Sequence, residues 1–349
     1  MKYSFIIPVF NRPDEVAELL ASMTRQTCHD FEVIVVEDGS QVTCQTVCEG
    51  YADRLDLHYY VKENGGPGEA RNYGAARAKG TYLLILDSDV VLPEGYLAAV
   101  DAELCRQEAD AFGGPDAAHP DFTPIQKAIS YSMTSFFTTG GIRGGRKKLD
   151  KFYPRSFNMG IRSAVYQALS GFSKMRFGED IDFSIRIIKA GYRCRLFPEA
   201  WVWHKRRTDF RKFFRQVYNS GIARINLFKR YPESLKLVHL LPAVFTVGTA
   251  MLAMAAVCGG CLALTGATTA WRSAGRTVLW IALLPLLLYA LLIFIDATRT
   301  AKSLRVGLLA VPAAFIQLGG YGMGFLHAWW NRCVKGQDEF AAFEKNFYK

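Results

Sequence analysis

The chain has 349 residues, of which 50% are hydrophobic and 21% charged, and its formal net charge is +10 at pH 7. A chain of this length usually exceeds one hydrophobic core, so we expect two structural units. Residues 1–140 carry 10 Lys and Arg against 21 Asp and Glu, whereas residues 141–236 carry 23 against 7. Such a basic segment favours anionic lipid and phosphate-bearing ligands. No nucleic-acid recognition motif accompanies it, which excludes nucleic acid as the expected partner.

The amino-terminal apolar stretch is too short, and too soon followed by charge, to be a secretory signal. We therefore expect the amino-terminal part to lie in the reducing cytoplasm, where disulfides are not favoured. The eight cysteines lack the paired spacing of a zinc site. Cys258 and Cys261 enclose two glycines within an apolar run, and small residues there typically serve helix packing.

Short apolar runs alternate with helical patterns in the first part of the chain, which predicts an α/β fold with a mostly parallel, Rossmann-like sheet. Ligands of such sheets bind beyond the carboxyl ends of the strands. The polar residues that follow these runs are therefore candidates for a site. The predicted strands are Ser4–Val9, Phe31–Glu37, Leu57–Val61 and Tyr82–Leu86, and the predicted helices are Pro13–Met23 and Glu69–Lys79.

The next part of the chain is less regular. Thr138–Lys151 is rich in Gly, Lys and Arg without an apolar period, and this predicts a loop. After it we expect a strand at Ser156–Ile161, helices at Ser163–Leu169 and Glu179–Ala190, and a strand at Arg193–Phe197. Within the basic segment 205–236, Phe210–Tyr231 has an apolar face surrounded by Lys and Arg, which is typical of an interfacial amphipathic helix. Packing against the soluble domain is the alternative.

Three long apolar runs follow, at about 237–264, 278–295 and 306–326. Crossing a bilayer takes about 20 apolar residues of helix, so each run is long enough to span a membrane. We therefore expect a soluble domain at 1–236, a membrane region at 237–330 and a tail at 331–349. Glycines break the third run, which leaves open that it lies in the interface and does not span. The side of the tail stays open with it.

Acidic residues follow two of the predicted strands. Asp87 and Asp89 come directly after an apolar strand, and carboxylates together with phosphate oxygens are the ligands that Mg²⁺ or Mn²⁺ prefers. An Asp pair after a strand is also common turn chemistry. Asp38 occupies the equivalent place in Glu37–Ser40, where a carboxylate could accept hydrogen bonds from a base or ribose. A simple turn is the alternative there.

Two further motifs suit a diphosphate and a proton acceptor. The glycine-rich stretch 64–68 leads into a helix that carries Arg71, and backbone amides at a helix start suit phosphate. Glu179, Asp180 and Asp182 open another helix, where three acids exceed what capping needs. One of them could act as a general base. His204 follows a short apolar strand and could complete a metal shell, although a lone His is weak evidence.

Taken in order, these motifs resemble the family-two glycosyltransferases of the GT-A fold. The resemblance covers most of residues 3–204 and is carried by IIPVFNR, VVEDGS, NGGPGEARNYG, ILDSD, SFNMGIR, GFSKMRFGEDIDFSIRIIKAGYR and VWH. Any one motif is weak, but the ordered set is specific. The chain is thus expected to be an inverting, metal-dependent transferase that uses a nucleotide sugar, with UDP favoured over GDP.

The resemblance implies roles for particular residues. Asp180 would be the catalytic base, and Mg²⁺ or Mn²⁺ would be held by Asp87, Asp89 and His204. The donor side would include Pro8, Asn11, Asp38, Arg71 and Asp87, and the acceptor side Asn158, Met159 and Glu179.

The sequence departs from the processive synthases of this family, because 215–219 reads RQVYN where those enzymes carry QxxRW. We therefore expect a saccharide or lipid-linked saccharide as acceptor, at the cytoplasmic face of the cell's inner membrane, in the synthesis of surface polysaccharide. A polyprenyl-phosphate sugar synthase is the alternative, although such enzymes usually lack the acidic helix. A non-catalytic nucleotide-binding membrane protein is a remote alternative. The sequence identifies no protein partner.

Overall fold

The computed structural model describes residues 1–119, 121–139, 152–175 and 177–339. Strands and helices alternate through the first half of the chain, as the sequence predicts. The described strands are β1 (Tyr3–Val9), β2 (Phe31–Asp38), β3 (Leu57–Lys62), β4 (Tyr82–Leu86), β5 (Val90–Val91), β6 (Ala111–Gly113), β7 (Asp116–Ala117), β8 (Asn158–Arg162), β9 (Cys194–Leu196) and β10 (Val202–His204).

The described helices fall into shorter amphipathic ones and three long apolar ones at the end. They are α1 (Pro13–Met23), α2 (Gln45–Glu49), α3 (Pro67–Ala75), α4 (Tyr96–Arg106), α5 (Pro124–Thr134), α6 (Phe136–Thr139), α7 (Ser163–Ala168), α8 (Glu179–Lys189), α9 (Phe210–Arg230), α10 (Leu241–Thr265), α11 (Thr269–Ala301) and α12 (Leu304–Trp329). Short 3-10 turns at Pro232–Ser234 and Leu237–His239 join α9 to α10.

Seven strands form one sheet in the order β3-β2-β1-β4-β8-β6-β9. Strands β1 to β4 are parallel to their neighbours in the first half of the sheet, whereas β8 runs antiparallel to both β4 and β6. Strands β5, β10 and β7 form a small second sheet. This topology brings the ends of β1, β2 and β4 to one edge, where ligands of such sheets bind.

The main sheet is buried on both faces because its central strands are almost wholly apolar. Alternate residues of β1 point to opposite sides: Phe5 and Ile7 pack in a cluster with α1, whereas Ile6 packs in a cluster with α3 and α8. Buried faces on both sides are characteristic of strands connected by crossover helices. The predicted fold class, a mostly parallel α/β sheet followed by long apolar helices, is confirmed.

The described residues divide into two compact units. The first comprises 1–119, 152–175 and 177–205 and contains both sheets. The second comprises 121–139 and 206–339, and it is entirely helical. Residues 121–139, which lie between β7 and β8 in sequence, thus fold with the apolar helices. Our boundary at residue 236 did not anticipate this, because the short amphipathic pattern of α5 gives no sign of its packing partner.

Helices α10, α11 and α12 are each long and apolar enough to cross a membrane. The apolar face of α9 packs against α12, where Val217 approaches Gly320 and the backbone of Gly221 meets that of Tyr321. The cations at both ends of α9 are exposed, and the interfacial position of this helix stays a prediction. Most of the predicted loop at Thr138–Lys151 lies outside the described residues.

Candidate active site

The two aspartates after β4 lie next to His204. Strand β10 pairs antiparallel with β5, with His204 opposite Val90, and this places the imidazole beside the preceding Asp89. The distance from His204 Nε2 to Asp89 Oδ1 is 3.2 Å. One ligand atom each from Asp87, Asp89 and His204 lies within 4.8 Å of the others. Two carboxylates and an imidazole form a donor set that a divalent cation such as Mn²⁺ can use.

Asp89 also forms an ion pair with an arginine. Its Oδ2 accepts a hydrogen bond of 2.7 Å from Arg12 at the start of α1. Burial lowers the pKa of His204, but Asp116 and Asp89 outweigh this and raise it to about 9. The Nδ1 atom of His204 is buried without a hydrogen-bond partner among the described residues, and it lies 3.8 Å from Asp116. The imidazole ring stacks on Phe157, with 5.0 Å between the ring centroids.

Arg71 joins the aspartates to the acidic helix. One terminal nitrogen of Arg71 donates to Asp87 at 2.8 Å, and the other donates to Glu179 at 3.0 Å. The guanidinium is almost fully buried and lies over the ring of Phe172. Burial raises the pKa of Glu179, although the charge of Arg71 opposes this effect. Arg71 therefore couples two acidic motifs that lie far apart in sequence.

Asp180 is held by a cation that the sequence did not single out. Arg155 Nε donates a hydrogen bond of 2.6 Å to Asp180 Oδ2, and the amide of Ile181 donates to Oδ1 at 2.8 Å. Burial alone would raise the pKa of Asp180, but the charge and hydrogen bond of Arg155 lower it below its usual range. Asp180 is therefore a carboxylate at neutral pH, as a general base must be. The Arg155 side chain is partly exposed.

Asp38 organises the glycine-rich stretch that follows β3. Its Oδ1 accepts hydrogen bonds from Lys62 Nζ at 2.7 Å and from the amide of Gly65 at 2.9 Å, and its Oδ2 accepts one from Gly66 at 2.8 Å. The side chain of Asn64 donates to the Asp38 carbonyl oxygen at 2.9 Å. Asp38 thus ties the end of β2 to the start of α3, the region expected to face the nucleotide.

Asn11 fixes the neighbouring loop after β2. Its side-chain oxygen accepts hydrogen bonds from the amides of Gln41 at 2.8 Å and Val42 at 3.0 Å, and its own amide donates to Ser40 Oγ at 2.7 Å. Gly39 in this loop has a φ of +72°, and a Cβ there would lie 2.7 Å from the backbone nitrogen of Asn64. Only glycine fits such a close approach in the left-handed region.

The remaining predicted residues are more deeply placed. Pro8 is partly buried in β1, in register with Val36. Asn158 is buried: its side chain accepts a hydrogen bond from Tyr96 at 2.7 Å and donates one to the Ala200 carbonyl at 2.8 Å. Met159 is fully buried in the core. The roles of these residues in donor or acceptor binding stay predictions.

Four further residues belong to the site but were not predicted from the sequence: Arg12, Arg155, Lys62 and Asp116. Arg12 lies 77 positions from its partner and Arg155 lies 25 positions from Asp180, so no local spacing links them. Of these residues only Arg12 could have been suspected from the sequence, because it follows the predicted site residue Asn11 shortly after the end of β1. A second group that could hold a metal, formed by Glu32, Asp56 and His58, lies at the other end of β2 and β3. Its imidazole lies 3.3 to 3.4 Å from both carboxylates, and ion pairs account for that arrangement.

Comparison with known proteins supports the family resemblance for the amino-terminal part of the chain. Residues 4–169 match the family model described as Glycosyl transferase family 2. An uncharacterized glycosyltransferase of Rickettsia typhi is 42% identical over 86 residues, which are 25% of this chain and 26% of that protein. The poly(ribitol-phosphate) beta-N-acetylglucosaminyltransferase TarS of Staphylococcus aureus is 38% identical over 93 residues, which are 26% of this chain and 16% of that protein. The chain thus spans only a minor part of these relatives.

The likeness in fold is broader. The solved structure of a mannosyltransferase from Pyrobaculum calidifontis, in complex with GDP-Man and Mn²⁺, superposes with a TM-score of 0.58 at 20% identity. The superposition covers 91% of this chain and 87% of that one, a share that requires much of both units. The acidic helix α8 and His204 lie beyond the residues that the family model matches. Residues 4–169, nearly half of the chain, thus match glycosyltransferase family 2, the family that the motifs resemble.

Proposed function

We propose that this protein is a metal-dependent, inverting glycosyltransferase that uses a nucleotide sugar at the cytoplasmic face of the cell membrane. One observation carries the proposal: Asp87, Asp89 and His204 converge as ligand atoms, while Arg71 links Asp87 to the helix that carries Asp180. A site for a diphosphate and a carboxylate base therefore lie within one connected network. A protein that only bound nucleotide would not need this base.

The donor would bind along the strand ends. The first turn of α3, which Asp38 positions through the amides of Gly65 and Gly66, suits phosphate oxygens. Asp87, Asp89 and His204 would hold a divalent cation, for which their close ligand atoms and the half-buried imidazole are a fitting donor set. When bound, the cation would neutralise the charge on the departing diphosphate. The Mn²⁺ in the mannosyltransferase complex supports this assignment.

The reaction would be a single displacement at the anomeric carbon. The acceptor hydroxyl oxygen forms the new bond to that carbon while its proton passes to a carboxylate oxygen of Asp180. The bond from the anomeric carbon to the diphosphate oxygen breaks, and its electron pair leaves with the nucleoside diphosphate. Because attack and departure occur on opposite faces, the anomeric configuration inverts. Arg155 would keep Asp180 ionised.

The acceptor we propose is a lipid-linked saccharide, in surface polysaccharide synthesis. Three long apolar helices and the basic helix α9 are features that would hold a pyrophosphate lipid near a membrane surface. A polyprenyl-phosphate acceptor is the second candidate, and one contact favours it. Arg155, which now pairs with Asp180, could instead bind an acceptor phosphate, which is already an anion and needs no base.

A two-stage assay tests the proposal. Purified, detergent-solubilised protein would first be screened with UDP and GDP sugars for release of nucleoside diphosphate, with and without Mn²⁺. The productive donor would then be offered polyprenyl phosphate and a polyprenyl-pyrophosphate saccharide in parallel. Transfer to the saccharide supports the main proposal, and transfer to the phosphate alone supports the second candidate. Binding of every donor without consumption of any sugar would contradict both.

Asp38→Asn should weaken donor binding with little effect on turnover. The substitution removes a charged acceptor of hydrogen bonds from Lys62 and two amides, and such bonds contribute about 1.5–3 kcal/mol. We therefore expect the donor KM to rise about 10- to 100-fold while kcat changes little. Steady-state kinetics with a varied donor would check this, with the exposed Asp53→Asn as control. A fall in kcat at unchanged KM would contradict a donor-side role.

Arg155→Gln should move the acidic limb of the turnover profile to higher pH. A base is active when deprotonated, and Arg155 is the main group that lowers the pKa of Asp180 against the effect of burial. Without Arg155 the carboxyl therefore takes up its proton at higher pH, and turnover starts to fall earlier on acidification. Turnover measured at saturating substrate across pH, beside wild type, would check this. Superimposable acidic limbs would argue against Asp180 as the base.

A further inference from the structure

The long apolar helices do not pack as three parallel spans. Helices α10 and α11 form an antiparallel hairpin: a Cβ at Gly259 would lie 2.7 Å from the Leu279 nitrogen and 2.9 Å from the Gly275 oxygen. The hairpin is closed by the short connection at 266–268, and its open end contains the start of α10 and the end of α11. The most apolar stretches of these two helices are only 11% buried, against 44% for α12.

Both halves of α12 contact the open end of this hairpin. Near its start, a Cβ at Gly307 would lie 3.1 Å from the carbonyl oxygen of Phe294, close to the end of α11. In its second half, a Cβ at Gly322 would lie 2.3 Å from the carbonyl oxygen of Pro242, in the first turn of α10. The middle of α12 crosses from α11 to α10 between these two contacts. There the ring centroid of Phe315 lies 5.7 Å from that of Phe245 and 5.5 Å from that of Tyr289.

These contacts are incompatible with α12 as a third span. Eighteen residues of helix separate Leu304 from Gly322, which is about 27 Å and nearly the thickness of the hydrocarbon layer. A spanning α12 that started beside the end of α11 would carry Gly322 to the far side of the bilayer. Gly322 instead packs on Pro242, at the end where α10 starts. Helix α12 therefore enters the hydrocarbon layer at the hairpin's open end and leaves it on the same side of the membrane.

Two other helices, α9 and α5, pack against α12. Along its second half α12 packs closely on α9, where Gly324 meets the backbone of Tyr218. If α12 spanned the bilayer, the helix packed along its second half would be drawn into the far leaflet. Burying the cations of α9 there would cost free energy. These cations are Arg211, Lys212, Arg215, Arg224, Lys229 and Arg230. Helix α5 reaches α11 through Tyr131, whose hydroxyl donates to Asp296 at 2.5 Å.

The distribution of cations supports a placement in which both ends of α12 lie on the same side of the membrane. Cations on the cytoplasmic side favour a given membrane orientation. With α12 in the layer, Lys302, Arg305, Arg332 and Lys335 all lie at the open end of the hairpin together with the cations of α9. The exposed Trp329 and Trp330 at the end of α12 then lie at headgroup level, where Trp is enriched. A third span would place Arg332 and Lys335 on the opposite side.

We propose that the membrane region is a two-span hairpin and that α12, with α9 and α5, forms a lipid-contacting layer within the leaflet at the hairpin's open end. The described end of the tail, residues 335–339, then lies on the same side as the amino terminus of α10. Among the described residues no candidate span lies between the amino-terminal domain and α10, so the domain shares that side. This topology does not depend on the reaction proposed above.

Native cysteines allow a direct test in the full chain. Cys333 at the end of α12 and Cys105 in α4 are both exposed, so each can be kept as the sole cysteine. A third variant, cysteine-free except for Ala267→Cys, marks the closed end of the hairpin. Intact cells would be treated with an impermeant maleimide before and after permeabilisation. We expect Ala267→Cys to react in intact cells, and Cys105 and Cys333 to react only after permeabilisation.

Labelling of Cys333 in intact cells, with Cys105 still protected, would overturn the proposal and favour three spans. Because removal of the other cysteines could impair folding, the wild-type chain provides a second measurement. Protease added to sealed right-side-out and inside-out vesicles would be followed by mass spectrometry of the carboxyl-terminal peptide. We expect the tail to be cut only in inside-out vesicles. Cleavage in right-side-out vesicles would equally contradict two spans.

Discussion

Asp89→Asn should reduce sugar transfer at least about 10³-fold, because a metal ion contributes several kcal/mol of charge stabilisation in the transition state. The carboxylate of Asp89 lies in the one group that combines both strand-end aspartates with His204. Asparagine keeps the shape of the side chain but removes the charge that a divalent cation requires. It also leaves an amide oxygen that can accept the hydrogen bond from Arg12, so the partly buried guanidinium keeps a partner.

The measurement pairs activity with binding. Turnover would be followed as a function of Mn²⁺ concentration, and Mn²⁺ binding would be measured separately by calorimetry in the absence of donor. We expect the variant to lose both, while its thermal unfolding stays close to wild type. Asp53→Asn, an exposed carboxylate outside the site, is the matched control and should behave as wild type. An Asp89 variant with an unchanged Mn²⁺ dependence would remove Asp89 from the metal site.

The elements that the sequence predicted well are those whose pattern is complete within a few residues. Strands β2 and β4 are continuous apolar runs between polar ends, and their observed bounds match the prediction within one residue. Helix α1 begins at Pro13 and ends at Met23 as predicted, because proline favours a first turn and the apolar period is clear. Such local signals survive because the tertiary fold agrees with them.

The site was only partly predictable, for a physical reason. Asp87 and Asp89 could be found because a strand end brings them out together. Arg71 was found through its glycine-rich motif, but its pairing with Asp87 and the pairing of Arg12 with Asp89 were not, because tertiary packing brings both arginines to the aspartates. The sequence offered His204 only as weak evidence after a short apolar strand, and its place in the metal set came from a family resemblance. Helix α5 was missed because its packing partners lie more than 150 residues away.

Asp180→Asn should lower turnover by roughly 10²- to 10⁴-fold while donor binding stays near normal, since this is the usual contribution of general acid–base help. Asparagine preserves the volume of the side chain but cannot take the acceptor proton. Donor affinity should persist because Asp180 accepts its hydrogen bonds from Arg155 and the Ile181 amide, and not from Arg71, which holds Asp87. Single-turnover rates and donor titrations would be measured on the same preparation.

A matched variant on the same helix separates chemistry from structure. Asp182 is fully buried and accepts hydrogen bonds from Ser173 at 2.6 Å and Arg186 at 3.0 Å, which are contacts within the fold. Asp182→Asn should therefore lower the melting temperature but leave the turnover of the folded fraction largely intact. Asp180→Asn should show the opposite pattern, because Arg155 is partly exposed and can be solvated. If Asp180→Asn instead kept its turnover with a polyprenyl-phosphate acceptor, the acceptor would need no base, and the second candidate function would replace the first.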